Sequence, residues 1–336
     1  MSEERERASG RSSWKEGGGG ESSGEGEMAR RCILGNTPLV KVNISYSMFA
    51  SRMPLPGRRV VIQPPPRDIR RRLSLVGGLK SNTPDFRPRR IILLRHGQSL
   101  GNVDESAYCT TPDWRIPLTD IGRNQATDAG RRLRNIICEK DAAVLFYNSP
   151  YIRAKQTLDR IKPFFDDKDI VACLEEPRIS EQQIGNFQNV QQILDAKSER
   201  SKFGRFFYRF PTGEAGLDVY SRVSSFIPTM VRDCTRYGTA GQDLDNLNVI
   251  IVTHGLALRF FLMRWFQFSV EDFELSRNPD NCELITMNKI RDSSGHGWME
   301  LNEENRISLF LPQSAGIPRN VHMHMLERQQ SSSSLD

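Results

Sequence analysis

Ile91-Ile92-Leu93-Leu94-Arg95-His96-Gly97-Gln98-Ser99 is the stretch whose reading decides the fold. A short apolar, β-branched run followed at once by polar residues suits a strand buried on both faces that ends where chemistry begins. In open α/β sheets, ligands bind at the carboxyl ends of the strands. Glycine directly after the histidine lets the backbone approach a ligand closely, and the next helix start would offer free N–H groups to an anion. Arg95 adds a permanent charge with a planar fork suited to phosphate. Taken alone, the Arg-His-Gly tripeptide reads more simply as a polar strand end without a ligand.

Outward from this stretch, strands and helices alternate. Thr119 to Cys138 places Ile121, Ala126, Ala129, Leu133, Ile136 and Ile137 at helical spacing, with Thr119 as N-cap. Ala143 to Asn148 reads as a strand, Tyr151 to Phe165 as a helix, and Val171 to Leu174 as a further strand. Leu217 to Cys234 reads as a helix, Val249 to Thr253 as a strand, and Leu256 to Phe266 as a strongly apolar helix. Glu283 to Asn288 and Ile307 to Leu311 read as late or edge strands. This alternation predicts an α/β three-layer sandwich, a mixed, mainly parallel sheet flanked by helices. The catalytic domain is expected over residues 90–312.

Three more segments bear on the chemistry. Ser149-Pro150-Tyr151-Ile152-Arg153-Ala154-Lys155-Gln156-Thr157 follows a strand and sets Arg153 one turn into a helix. Glu181 stands in a loop before Gly185, and Val252-Thr253-His254-Gly255 puts a second histidine at a strand end. Each has a plain alternative: a solvated helix charge, a surface acid, a histidine bonded to backbone. All four in this order, three at strand-to-helix transitions, are hard to reach by chance.

Together these motifs, with the Leu118-Thr119 to Gln125-Ala126 segment, resemble the histidine phosphatase superfamily over about residues 90–289, in its phosphoglycerate mutase-like branch. Residues 204–211 and 269–281 further resemble plant and fungal phosphoglycerate mutase-like proteins. The resemblance implies a phosphomonoester hydrolase in which His96 is the nucleophile, forming a phosphohistidine. It implies that Arg95, Arg153 and His254 surround the phosphoryl oxygens, and that Glu181 gives the leaving alcohol its proton. Ser99, Asn102 and the N–H of Gly255 are implied oxygen ligands, and Arg205 and Arg209 candidate substrate ligands. Neither metal nor cofactor is implied. A phosphoglycerate mutase-type transferase, primed by 2,3-bisphosphoglycerate, is the alternative enzyme, and a non-catalytic protein binding a phosphorylated ligand the alternative class.

Some positions depart from the family pattern. Gln98 stands where mutases usually carry Glu, and His96 and His254 are only 158 residues apart. Ala215 replaces a serine, which removes a hydroxyl expected to serve as a local cap. Phe203, Phe206, Phe207, Tyr208 and Phe210 interleave with Arg205 and Arg209. Either this stretch lines a pocket for an extended, partly apolar substrate, or it faces the core with snorkelling arginines.

Composition bounds the rest. Residues 1–90 hold 18 Lys+Arg against 9 Asp+Glu, and the remainder 29 against 32, so the net charge of +6 belongs to the N-terminal part. The near-neutral catalytic region gives no reason to expect a nucleic-acid partner. No run approaches the ~20 apolar residues of a membrane helix. Cys32, Cys109, Cys138, Cys173, Cys234 and Cys282 lack zinc or disulfide spacing and fit a reducing, cytoplasmic location. Residues 1–89 read as a disordered basic tail, and the acid-free stretch from Met28 to Arg67 resembles a chloroplast or mitochondrial transit peptide if translation begins at Met28. Arg70-Arg71-Arg72-Leu73-Ser74 has the form of a basophilic kinase site at Ser74, and residues 313–336 read as a disordered C-terminal tail. The expected partner is a small phosphorylated substrate; oligomeric state is not legible.

Overall fold

The apolar run forms β1 (Arg90–Arg95), with Ile91 to Leu94 fully buried. The computed structural model describes residues 87–292, 295 and 297–317. These lie in the unit Leu79–Asp336; the other unit, Met1–Gly78, falls outside the described residues. So do the readings of the N-terminal tail up to residue 86, of Ser74, and of residues 318–336.

After β1 come two single helical turns, Leu100–Val103 and Ala107–Thr110, and then helix α1 (Asp120–Ile136). Thr119 caps α1 as expected, its side chain accepting from the N–H of Gly122 at 3.0 Å. Then follow β2 (Ala143–Asn148), α2 (Ile152–Ile161), β3 (Ile170–Glu175) and α3 (Val190–Phe203). Helix α4 (Gly216–Thr239), β4 (Leu247–Thr253), α5 (Gly255–Phe266) and α6 (Val270–Leu275) come next. The chain closes with β5 (Leu284–Arg291), β6 (Gly297–Leu301) and α7 (Glu303–Ser308).

The strand order is β3-β2-β4-β1-β5-β6. The first four strands run parallel, β5 runs against them beside β1, and β6 pairs antiparallel with β5, which makes the sheet mixed and mainly parallel. Side-chain alternation divides the core in two. Ile91, Leu93, Val249 and Ile251 pack with Val223, Phe226, Phe260 and Phe261 of α4 and α5. Ile92, Leu94, Ile250 and Val252 pack with Ala126, Leu133 and Leu158 of α1 and α2 on the opposite face. Removing a ring such as Phe226 or Phe260 would cost about 3–5 kcal/mol.

Three readings change. Ile307–Leu311 is not a strand: it is the end of α7 and its exit turn. Apolar residues at 307, 309 and 311 imitate strand alternation, yet Ile307 is exposed while Leu309 and Leu311 are buried. The turn closes with Phe310 N–H on Ile307 O and Leu311 N–H on Arg306 O, both 3.0 Å. Phe310 takes φ 56° in this left-handed position, where glycine is usual and a side chain costs roughly 1–2 kcal/mol. The last strand is β6 instead, placed by its antiparallel pairing with β5. Packing also continues beyond residue 312, since Gln313–Gly316 forms a 3₁₀ turn with Ala315 fully buried.

Candidate active site

The loop after β1 is held by side chains from three other elements. The N–H of His96 donates to Thr253 O (2.9 Å), and its carbonyl accepts from Asn281 Nδ2 (2.9 Å). Thr157 Oγ1 accepts from Gly97 N–H (3.0 Å), Gln125 Oε1 from Gln98 N–H (2.9 Å) and Asn102 Oδ1 from Ser99 N–H (3.0 Å). Leu100 N–H donates to Pro117 O. This corrects the expectation of free N–H groups here: the loop amides are already satisfied, so an anion must be met mainly by side chains. Thr157 and Gln125 belong to the motif segments, and their work is to fix the loop. A Cβ on Gly97 would stand 2.4 Å from Gly122 O, and one on Gly122 2.0 Å from Gln98 O, so the loop and the start of α1 touch backbone to backbone.

His96, Arg153 and His254 come together out of solvent, 3%, 2% and 0% exposed. His96 Nδ1 lies 2.7 Å from Gly97 O. A carbonyl only accepts, so Nδ1 carries the proton and Nε2 keeps its lone pair. Arg153 Nε donates to that Nε2 at 3.2 Å, and Arg153 Nη1 donates to Asp113 Oδ1 (2.8 Å) and Asp113 O (2.7 Å). The His254 ring lies 5.1 Å from that of His96, centroid to centroid, and edge-on to Tyr151 at 4.9 Å. His254 Nε2 is 2.7 Å from Ser149 Oγ, which itself accepts from Tyr151 N–H. The hydroxyl, with one proton and two lone pairs, can donate to that Nε2 or accept from it. His254 Nδ1 is buried without a hydrogen-bond partner.

Burial, then the positive charges of Arg153 and Arg95, push His96 well below the usual imidazole range. His254 is pushed well below it for like reasons, burial first and then Arg153, His96 and Arg222. Both rings are neutral near pH 7, the state a histidine nucleophile needs. Arg95 is lowered by burial, opposed by the negative charges of Glu181 and Asp280, and its Nη1 donates to Pro279 O at 2.8 Å.

Glu181 sits on a loop pinned from below. Thr253 Oγ1 donates to Ile179 O (2.6 Å), and Arg222 donates to the carbonyls of Arg178, Ser180 and Glu181 at 2.7–2.9 Å. Glu214 holds Arg222 in turn and accepts from Gln183 N–H. Helix α4 follows Ala215, which offers no side-chain cap, and Asp218 takes the Ala215 N–H.

Glu181 also lines a cleft of about 520 Å³, with Arg205, Arg200 and Arg259 among its other walls. Arg205 is therefore at a place a substrate can reach. Arg209 is not among the cleft walls: it is exposed, pairs with Asp218 at 2.7 Å and bonds Gly213 O. Ser99 and Asn102 face each other, with Ser99 Oγ 3.2 Å from Asn102 Oδ1. Gly255 opens α5 beside Asn278, and a Cβ there would lie 2.8 Å from its Nδ2. The aromatic stretch divides between its two readings: Phe206, Tyr208 and Phe210 are buried, Phe203 and Phe207 exposed.

Sequence reasoning missed Asp113, Ser149, Arg200, Arg222, Arg259 and Tyr108, which lines the cleft and is pushed up to about 12 by burial and the nearby Asp113. Only Ser149, inside a quoted motif, carried a signal. Among the described residues no cluster of three or more metal-ligating side chains occurs, and no helix is long and apolar enough to cross a membrane.

Comparison with known proteins fits this geometry. The family model for the histidine phosphatase superfamily (branch 1) matches residues 91–298. Phosphoglycerate mutase-like protein AT74H of Arabidopsis thaliana is 46% identical over 213 residues, covering 61% of this chain and 76% of the relative. Broad-range acid phosphatase DET1 of Saccharomyces cerevisiae is 29% identical over 300 residues, covering 63% and 89%. Among solved structures, mycobacterial hydrolase 1 superposes with TM-score 0.51 at 22% identity, over 64% of this chain and 97% of that one, a likeness of fold. The chain belongs to the histidine phosphatase superfamily.

Proposed function

We propose that this histidine phosphatase superfamily member is a phosphomonoester hydrolase that works through a phosphohistidine on His96. The observation that carries this is the buried, neutral His96, its Nε2 lone pair held in place by Nδ1–H bonded to Gly97 O and faced by Arg153. Nε2 attacks phosphorus in line with the leaving oxygen, and Arg153, Arg95 and His254 meet the charge on the phosphoryl oxygens. Glu181, on its pinned loop, protonates the leaving alcohol and then takes a proton from the water that cleaves the phosphoenzyme. The arginines supply the positive charge a metal would otherwise bring, so the reaction is metal-independent in this reading.

Phosphate release from a panel of phosphomonoesters tests it. The full chain releases phosphate from at least one, and His96→Ala loses on the order of 10³-fold or more. Quenched wild-type enzyme holds a base-stable, acid-labile phosphoryl group that the variant lacks. Full activity in His96→Ala would sink the mechanism. The mutase-like naming of the Arabidopsis relatives supports a second reading, phosphoryl transfer between glycerate positions. Isomerisation of 3-phosphoglycerate that depends on 2,3-bisphosphoglycerate, without net release, would establish that reading instead.

A further inference from the structure

The cleft that starts at Glu181 has a composition the chemistry above does not use. Its walls carry Lys197, Arg200, Arg205, Arg259 and Arg277, against Glu181 and Glu274. Lys197 is paired with Glu105 (2.6 Å), and Arg277 with Glu283 (2.7 Å) and Asp280 (2.9 Å). Arg200, Arg205 and Arg259 have no ion pair among the described residues. Arg259 is 2% exposed; its Nε donates to Ser276 Oγ (2.9 Å) and its Nη2 to Phe273 O, both neutral acceptors. The Nε of Arg200 is buried without a partner, and its Nη1 makes one long contact with Gln182 (3.4 Å). Burial and then the charge of Arg205 push Arg259 down to about 9, and the same two causes lower Arg200. The charges of Glu181 and Glu274 offset part of the repulsion among these three cations, none of which is ion-paired to them, and an incoming anion relieves the rest.

The mouth of the same cleft is apolar. Leu275 is 75% exposed and Phe310 66%. Phe310 occupies the left-handed turn position that glycine fills without strain, and its exposed ring gains little from burial in return. A strained aromatic kept at a cleft rim is a contact surface.

We infer that this cleft holds the part of the substrate remote from the transferred phosphoryl group, and that this part carries a second anionic group, met by Arg205, Arg200 and Arg259, and an apolar group, met by Phe310 and Leu275. The substrate class is thus an amphiphilic phosphomonoester with a second acid. This rests on the reading that His96 receives the phosphoryl group.

Non-hydrolysable phosphonates test the inference by calorimetry on the full chain: butylphosphonate, its 4-carboxy derivative, and that derivative bearing a phenyl group. In the wild type the carboxylate tightens Kd at least tenfold and the phenyl group at least threefold more. Arg205→Gln removes the first gain, Arg205→Lys restores most of it, and Phe310→Gly removes the second. Phe310→Gly also raises Tm, which separates a lost contact from a damaged fold. Equal Kd for the three phosphonates in the wild type, or gains that survive both substitutions, would overturn the inference. Failure of the catalytic reading looks different: no phosphate release from any ester while the carboxylate gain persists.

Discussion

Arg153 Nε points its proton at His96 Nε2 from 3.2 Å, so a permanently charged side chain occupies the lone pair of the buried imidazole. One guanidinium thereby aims the imidazole and lowers its basicity; in the proposed reaction it is displaced and meets the phosphoryl oxygens. Asp113 holds the far end of the same group at 2.8 Å and keeps the fork from turning away.

Arg153→Lys keeps the charge and loses the fork. A lysine cannot bond His96, Asp113 and an oxygen in one plane. We expect kcat/KM to fall by about 10²–10³ with Tm nearly unchanged, since removing one charge-stabilising donor costs about that much. Steady-state kinetics on any turned-over ester decides it; a loss below threefold would show that only the charge matters.

Acid should weaken the fold through the two histidines. Unfolded imidazoles bind protons near pH 6.5, while folded His96 and His254 stay neutral well below that. The unfolded state therefore binds more protons below pH 6.5, and stability falls as pH drops, by up to about 1.4 kcal/mol per pH unit for each ring. Above pH 7 this contribution is complete and flat. Urea melts at pH 5, 6 and 7 will show the slope, and His254→Asn should reduce it by about half; a slope unchanged in the variant would refute the assignment.

Glu181→Gln separates acid catalysis from binding. Alkyl phosphates, whose alkoxide leaves poorly, should slow by about 10²–10⁴, and p-nitrophenyl phosphate by less than about tenfold. Equal losses on both would remove Glu181 as the proton donor.

Gly122→Ala drives a methyl to 2.0 Å from Gln98 O, where backbone must move. We expect a loss of about 1–3 kcal/mol in stability and a fall in kcat from the displaced loop. Gly241→Ala, which meets nothing within 4 Å but sits at φ +81, is the comparison for backbone strain without contact. Matching effects on kcat would argue against a positioning role for the Gly97–Gly122 contact.

The parallel sheet and the polar strand ends at His96 and His254 were legible because buried strands need unbroken apolar runs and their ends need none. Helix α1 was legible from its period and from Thr119. The stretch 307–311 was misread because the end of a short helix and its exit turn can present the same alternation as a strand. Nothing local distinguishes Arg205, beside the cleft, from Arg209, paired with Asp218; the difference is made by α4, which supplies Asp218 to one of them. Asp113 and Arg222 act on Arg153 and Glu181 across long stretches of chain, so spacing carries no trace of them.

The place of β1 in the sheet sets a schedule for synthesis. Arg90 pairs with Asn248 on one side and Asn288 on the other, so the strand leading to His96 has no sheet neighbour close in sequence. On the ribosome β1 emerges early and waits, its four apolar residues uncovered, until most of the domain has been made. The nascent chain thus carries an uncovered apolar segment ahead of the strands that shield it. In the proposed mechanism turnover needs His96 beside His254, and so it becomes a readout that β1 has paired with β4.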